Sequence, residues 1–349
     1  MADDVRFGIL GTGHMAQTFA AALTSVDGVA LAGFCSRDEE RAKTFSTYFG
    51  APVHFATLAD LLADPAVDAL YIAHDSANHA ESAIAGLEAG KAVLCEKPCG
   101  IDAAQARAIA ATAERTGKLF MEAIPTPFLP AVTEAITAAQ SGELGMLRRF
   151  SANFGYPASP QSHPACFAAA GGGVLLDRAI YPVTLALLTM EPVRDVHAIV
   201  THDEGGIAVE AWITLLHDSG ATSSLGASFL SELDNRLSIA GTMGSAFVEG
   251  PFLAAERFAI TRYGAPTRSA PEAGGLVARL KRKPILRRTM AIARAARMPY
   301  RSYGTSIYAG EIAHFRDLMR EGKRASHLLP PALSIAALEI LDRAKAQAS

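Results

Sequence analysis

Residues 5–34 constrain the fold more than any other stretch. An apolar, β-rich segment, VRFGIL, runs directly into GTGHMA, where Gly11, Gly13 and Ala16 fall at G-x-G-x-x-A spacing. QTFAAALTSV then has helical periodicity, and VALAGFCS reads as a second strand. Each small residue has a physical task in a strand–turn–helix of this kind. Gly11 permits the tight turn, Gly13 lets backbone approach a pyrophosphate, and Ala16 lets helix and strand pack closely. The helix start carries His14 and Met15 and offers free N–H groups to phosphate oxygens. The spacing alone is a weak signal; with these flanks it predicts a dinucleotide site.

The end of the second strand bears on which dinucleotide. An acid there would hold the ribose 2′-hydroxyl of NAD. Here the residues are Cys35, Ser36 and Arg37, followed by Asp38. Ser36 as a hydroxyl donor and Arg37 as a guanidinium suit a 2′-phosphate. The expected cofactor is NADP, with NAD possible. The bland reading of Arg37 is a solvated loop residue.

Strand and helix patterns continue to alternate. VDALYIA (67–73), KAVLCEKP (91–98) and KLFMEAI (118–124) read as strands separated by helical segments. This predicts a doubly wound parallel sheet, with ligands beyond the carboxyl ends of its strands. His74, Asn78, His79 and the Glu96-Lys97-Pro98 lip all fall at that edge. His79 opens a helix, where a structural role and a cofactor contact are both open. Pro98 disfavours the α region for Lys97 and holds it extended past the strand end. A lysine so placed either makes a salt bridge at the lip or does chemistry.

After about residue 123 the pattern changes. FLPAVTEAITAAQSGELG is an amphipathic helix and MLRRFSANFG a strand; GGGVLLDRAIYPVTLALLTM brings a glycine run into a helix. Turn-separated β-like segments follow between residues 193 and 264, and two helical segments close the chain. The expected division is 1–123, a dinucleotide-binding domain, and 124–349, an α+β domain with a mostly antiparallel sheet. Asp177 and Tyr181, four apart on one helix, are expected to face one cavity.

Composition narrows the function classes. With 349 residues and 50% hydrophobic content the chain has material for two cores. A net charge of −3 gives no basic field for nucleic acid. The first strand begins at Val5, leaving no room for a signal peptide, and no apolar run reaches membrane-helix length. Cys35, Cys95, Cys99 and Cys166 are too few and too irregular for a disulfide framework or a zinc site. A cytoplasmic protein without metal is expected.

Taken in order, G-x-G-x-x-A at 11–16, Glu96-Lys97-Pro98, MEAIPTPFLPAV at 121–132, GGGVLLDRAIYPV at 171–183 and IAGTMGSAFVE at 239–249 resemble the glucose–fructose oxidoreductase/inositol dehydrogenase (Gfo/Idh/MocA) family over nearly the whole chain. The most similar branch contains dimeric dihydrodiol dehydrogenase and sugar dehydrogenases. The resemblance implies a Rossmann domain, an α/β domain with an open sheet, an active site between them and sheet-to-sheet association into a homodimer or higher oligomer. It also implies that Lys97 is the active-site lysine, Asp177 the pocket acid and Tyr181 the proton-transferring tyrosine. An ammonium near Tyr181 would lower its phenol pKa. The chain departs from that branch at Pro125 and Pro127, where an aromatic residue and an arginine usually shape the substrate pocket. The implied activity is an NADP-preferring oxidoreductase on a secondary alcohol or carbonyl of a sugar, polyol or dihydrodiol. Two alternatives are a nucleotide-binding regulatory protein on the same fold and a glycosidase that uses NAD for transient oxidation.

One stretch lies outside that scheme. Residues 274–304 hold nine Lys/Arg: Arg279, Lys281, Arg282, Lys283, Arg287, Arg288, Arg294, Arg297 and Arg301. No acid lies between Glu272 and Glu311. Such a segment reads as a solvated insertion or subunit contact, or, across 279–301, as a contact for an anionic membrane or acidic partner.

Overall fold

The computed structural model describes residues 4–168, 171–263 and 298–347. Its first sheet contains β1 (Val5–Leu10), β2 (Val29–Cys35), β3 (Val53–Phe55), β4 (Ala69–Ile72), β5 (Ala92–Glu96) and β6 (Phe120–Ala123). The order is β3-β2-β1-β4-β5-β6, and every pairing is parallel. Helices α1 (His14–Leu23), α2 (Glu39–Tyr48), α3 (Leu58–Ala63), α4 (His79–Glu88) and α5 (Ala103–Thr116) connect the strands. Both β4 and β5 are buried along their whole length, as strands covered on two faces must be. Strand order reverses between β1 and β4, which opens a crevice at their carboxyl ends. Neither α2 nor β3 is among the elements expected from sequence. The first is polar and the second is only three residues long.

The second sheet is built from β7 (Leu147–Gly155), β8 (Val193–His202), β9 (Ala208–His217), β10 (Thr222–Ser228), β11 (Leu237–Gly241), β12 (Gly244–Val248) and β13 (Phe258–Arg262). Its order is β13-β12-β11-β7-β10-β9-β8, antiparallel except where β10 runs parallel to β7. Helices α6 (Pro130–Gln140), α7 (Ile180–Thr189) and α9 (Pro331–Ala346) cover one face. Strand alternation sets the two faces of β9: Ala211, Ile213 and Leu215 point inward, Trp212 and Thr214 outward. Leu225, Ala227 and Phe229 are buried, and the open face mixes Trp212 and Ile199 with Thr214 and Ser224.

Helix α8 (Ala309–Arg320) follows the second sheet in sequence but packs elsewhere. Its Ile312, Phe315 and Leu318 join Val5, Phe7, Ile9 and Phe19 in the core of the first domain. Beyond it, Ala325 bridges in parallel to Phe120 on the β6 edge. Arg316 and Arg320 donate to the carbonyls of Asp27 and Gly28, in the turn before β2.

Of the basic stretch at 274–304, residues 274–297 lie outside the described residues. Of its nine cations Arg301 is described, and it pairs with Glu134 at 3.3 Å. No helix among the described residues is long and apolar enough to cross a membrane. Among the described residues there is no cluster of His, Cys, Asp and Glu of a size to hold a metal ion.

Candidate active site

A cavity of about 1390 Å³ opens at the carboxyl edge of the first sheet. That exceeds the usual range for one drug-sized ligand, roughly 300–1,000 Å³, and leaves room for a dinucleotide and a second molecule. Its wall includes Gly11, Gly13, His14, Met15, Ser36, Arg37, His74, Asn78, His79, Glu96, Lys97 and Asp177, which gathers the expected cofactor residues around one space.

The phosphate end follows from local backbone. Gly11 has φ +125°, and a Cβ there would sit 2.3 Å from the Ala73 carbonyl oxygen, so no other residue fits. Gly13 is different: a Cβ would meet nothing nearer than 3.9 Å. The protein does not fill that space, and a pyrophosphate would. Gly13 also caps α1 without a side-chain acceptor, leaving first-turn N–H groups free for phosphate oxygens. A dinucleotide therefore fits these residues.

At the other end of the groove, Ser36 and Arg37 border the cavity, and Arg41 borders it too. Arg41, in the first turn of α2, donates to the Thr12 carbonyl at 3.1 Å. Asp38 caps α2 by accepting from the Arg41 backbone N–H, so its carboxylate is already engaged. Arg37 pairs with Asp75 at 3.2 Å, with both side chains largely exposed.

The histidines are held by the protein. His74 Nε2 meets Ser82 Oγ at 2.9 Å. His79 Nδ1 lies 2.8 Å from the Pro98 carbonyl, and Nε2 lies 3.1 Å from that of His74. Burial is the main reason its pKa is pushed down to about 4; a neutral ring donates to one of these two carbonyls, and the shorter contact is to Pro98 on the lip that carries Lys97.

That lip brings the two domains' chemistry together. Lys97 follows β5, and its ammonium donates to the Asp177 carboxylate at 2.9 Å and the Asp177 carbonyl at 2.8 Å. The same ammonium stands 5.1 Å from the centre of the Tyr181 ring. Burial alone would depress the Lys97 pKa; Asp177, Tyr181 and Glu96 more than reverse this, and the net shift is upward. Burial would raise that of Asp177, and Lys97 with Arg178 brings it below the ordinary value. The pair is therefore charged in both partners.

The helix carrying the pair is not a uniform α-helix. Leu175–Ala179 form a π-helical turn that runs into α7. Asp177 belongs to the wide turn and Tyr181 to the α-helix, a type of irregularity common at functional sites. Asp177 borders the cavity, whereas Tyr181 is outside its lining; it reaches the site through Lys97 and packs edge-on against Phe154 at 5.6 Å. Burial raises the Tyr181 pKa and outweighs the pull of Lys97 in the other direction. The expected lowering by the ammonium is present, and the net shift is upward.

Glu96 is buried and accepts from the Tyr71 hydroxyl and from Lys97 N–H. Beside it lie Glu122 and Glu311, also buried, and Tyr308. The outer wall of the cavity comes from His163, Pro164, Ala165 and Cys166 in the loop after β7. No local pattern marks these loop residues; only the tertiary fold brings them there. Pro125 and Pro127 are buried and lie outside the cavity lining. All four cysteines are free.

Comparison with known proteins agrees with this geometry. Residues 5–124 match the model of the GFO/IDH/MocA oxidoreductase family, NAD-binding Rossmann fold. Residues 132–247 match the GFO/IDH/MocA C-terminal domain. The trans-1,2-dihydrobenzene-1,2-diol dehydrogenase of Mus musculus is 30% identical over 349 residues, covering 98% of this chain and 96% of its own. The Bos taurus enzyme of the same name is 32% identical over 71% of this chain and 75% of its own. Among solved structures, the aldose-aldose oxidoreductase of Caulobacter crescentus, complexed with glycerol, superposes with a TM-score of 0.80 at 21% identity, covering 99% of this chain and 97% of its own. A 3-ketoreductase from Actinomadura kijaniata, in complex with NADP and TDP-benzene, has a TM-score of 0.77 at 24% identity, covering 99% and 98%. The chain belongs to the GFO/IDH/MocA oxidoreductase family and is an NAD(P)-dependent dehydrogenase or reductase.

Proposed function

We propose that this enzyme interconverts a secondary alcohol and its carbonyl on a sugar, polyol or dihydrodiol, with NADP preferred over NAD. The observation that carries the reading is the Lys97 ammonium, fixed at the mouth of the dinucleotide groove between the Asp177 carboxylate and the Tyr181 ring. When bound, the nicotinamide supplies the hydride acceptor or donor. The remaining tasks belong to the protein. Tyr181 takes the substrate hydroxyl proton in oxidation and returns it in reduction. Lys97, a point charge, stabilises the phenolate that accepts this proton in oxidation and that is left when the proton is given up in reduction, and it offsets part of the upward pull of burial. Asp177 holds the ammonium in place and presents carboxylate to substrate from the cavity wall. The preference for NADP rests on Ser36, Arg37 and Arg41 around one end of the groove, with Asp38 engaged in a helix cap.

Three similar proteins support the substrate class: the two mammalian enzymes named for trans-1,2-dihydrobenzene-1,2-diol and the Caulobacter crescentus oxidoreductase named for aldoses. The protein works as a homodimer through the open face of the second sheet, where Trp212 and Ile199 are exposed. The test is turnover on trans-1,2-dihydrobenzene-1,2-diol and a panel of aldoses and polyols, with NADP⁺ and NAD⁺, read at the nicotinamide absorbance band. The expected result is turnover of at least one member with better kcat/KM for NADP⁺. Failure on every member with both cofactors would overturn the reading.

A further inference from the structure

We propose that Glu122 is a positioning residue for Lys97: its side chain ties down the turn that carries the ammonium. The inference deepens the hydride-transfer reading and rests on it. Glu122 lies on β6, opposite Cys95 of β5, and is 2% exposed. Its Oε1 accepts the backbone N–H of Cys99 at 2.8 Å. Cys99 is itself fully buried, so no water is at hand to replace that acceptor.

The surrounding bonds indicate why this tether matters. Residues 97–99 leave the sheet at the end of β5. Past that point side chains hold the turn. The Lys97 N–H goes to the Glu96 carboxylate at 3.2 Å. Pro98 has no N–H, and its carbonyl faces His79 Nδ1 at 2.8 Å. The Cys99 N–H goes to Glu122. Lys97 therefore sits between two carboxyl groups, each accepting one N–H of the turn. Glu96 ends β5, pairs with Ala123 and holds the near end of the turn. Glu122 belongs to the next strand and takes the N–H of Cys99, so it sets where the far end of the turn lies relative to β6. Lys97 Nζ must meet Asp177 from the other domain at 2.8 and 2.9 Å. A shift of the turn by a fraction of an ångström would be passed directly to that contact.

Reach, and not charge, is what the position demands. Burial is the largest influence on Glu122 and pushes its pKa up. A protonated carboxyl retains an acceptor oxygen, and so does an amide of the same length.

Two near-isosteric variants separate these properties in the full-length enzyme. Glu122→Gln keeps the reach and removes the charge. Glu122→Asp keeps the charge and draws the acceptor back by one methylene. With the most active alcohol of the panel and NADP⁺, Glu122→Gln should keep kcat within about twofold. Glu122→Asp should lose at least about tenfold in kcat, the scale of a small misplacement of a catalytic group. NADPH affinity and binding stoichiometry, read by fluorescence, should stay near those of the parent in both. A slow Gln variant beside a normal Asp variant would make charge the property in use and overturn the proposal. Equal behaviour of the two, fast or slow, would also overturn it, as would a loss of kcat matched by a loss of NADPH-binding stoichiometry. Lys97→Arg keeps the two readings apart. If it abolishes turnover while Glu122→Asp does not, only the tether fails; if it turns over normally, the catalytic role of Lys97 fails first.

Discussion

Two ion pairs border the same groove and differ in almost everything but length. Arg37 and Asp75 meet at 3.2 Å with side chains 91% and 58% exposed; Lys97 and Asp177 meet at 2.9 Å with 14% and 25%. Water screens the first pair and competes for both partners, so it is easily exchanged. The second pair has given up most of its water, its ammonium donates twice, and its partners hold each other charged. Under the proposed function, the difference separates recognition from chemistry. At the phosphate end Arg37 would trade a carboxylate for an incoming phosphate. At the reactive end the charge is installed before any ligand arrives, as electrostatic catalysis requires.

The largest expected effect tests the buried pair. Lys97→Arg and Tyr181→Phe should each lower kcat by at least about a hundredfold, the scale of lost acid–base assistance. Arginine keeps the charge, but its planar fork cannot donate to both Asp177 oxygens and leave a compact ammonium 5.1 Å from the ring centre. NADPH affinity and melting temperature should change little. Because the two side chains act as a unit, the double variant should be only slightly slower than either single one. Near-normal turnover by Lys97→Arg would reduce this pair to a structural one and erase the contrast with Arg37–Asp75.

The exposed end should respond more weakly and through the cofactor. Arg37→Asp removes a charge-assisted contact of roughly 1.5–3 kcal/mol to a 2′-phosphate and adds repulsion, so preference should move toward NAD by at least about tenfold. Arg41 remains as a second guanidinium on the cavity wall, which limits the loss. The ratio of kcat/KM for NADP⁺ and NAD⁺ in parent and variant is the measurement. An unchanged ratio would place Arg37 outside the cofactor site.

These two regions were not equally readable in the chain. Gly11, Gly13 and Ala16 form a largely local device of one strand, one turn and one helix, although the Ala73 carbonyl that crowds Gly11 comes from beyond β4. Lys97 was readable for the same reason, since Pro98 and the end of β5 are its neighbours. Asp177 and Tyr181 were singled out by the family resemblance, with their four-residue spacing in support, but the π-helical turn that contains Asp177 was not foreseen, because widening a helix depends on packing. Arg41 fell within a polar helix with little periodicity to mark it. The outer wall, His163 to Cys166, and the Cys99–Glu122 contact join segments distant in sequence, for which one chain holds no pattern. Helix α8 was recognisable as amphipathic, yet nothing local said that Phe315 would pack on Phe7 at 5.7 Å.

Burial has a further consequence behind the lysine. Glu311, in the first turn of α8, is 1% exposed. Burial, reinforced by the neighbouring Glu96 and Glu122, pushes its pKa well above the carboxylate range. The folded protein therefore binds this proton more tightly than the unfolded chain does. The stabilisation is complete below the unfolded carboxyl pKa, about 4.3, and is lost as pH rises through the folded value. Glu311→Gln imitates the protonated acid. It should raise the melting temperature at pH 8 by roughly 2–4 °C for each kcal/mol recovered, with the gain shrinking toward pH 4. A gain of equal size at both pH values would mean that packing, not the proton, is responsible.

The smallest effect probes the exchange attributed to the exposed pair. In the absence of phosphate, Asp75 occupies Arg37 and places a negative charge at the groove. Asp75→Asn keeps the shape and removes that charge. Arg37 no longer leaves a carboxylate to meet a 2′-phosphate, and the phosphate no longer approaches one. Exposed pairs are worth only about 0.2–1 kcal/mol, so NADPH should bind tighter by no more than about fivefold. NADH, which lacks the 2′-phosphate, should change by much less. Fluorescence titration of both cofactors at low and high salt gives the comparison. The NADPH gain should fade at high salt, as expected between screened charges. An equal gain for both cofactors would mean that Asp75 repels the pyrophosphate, and no gain for either would mean that Arg37 does not exchange partners.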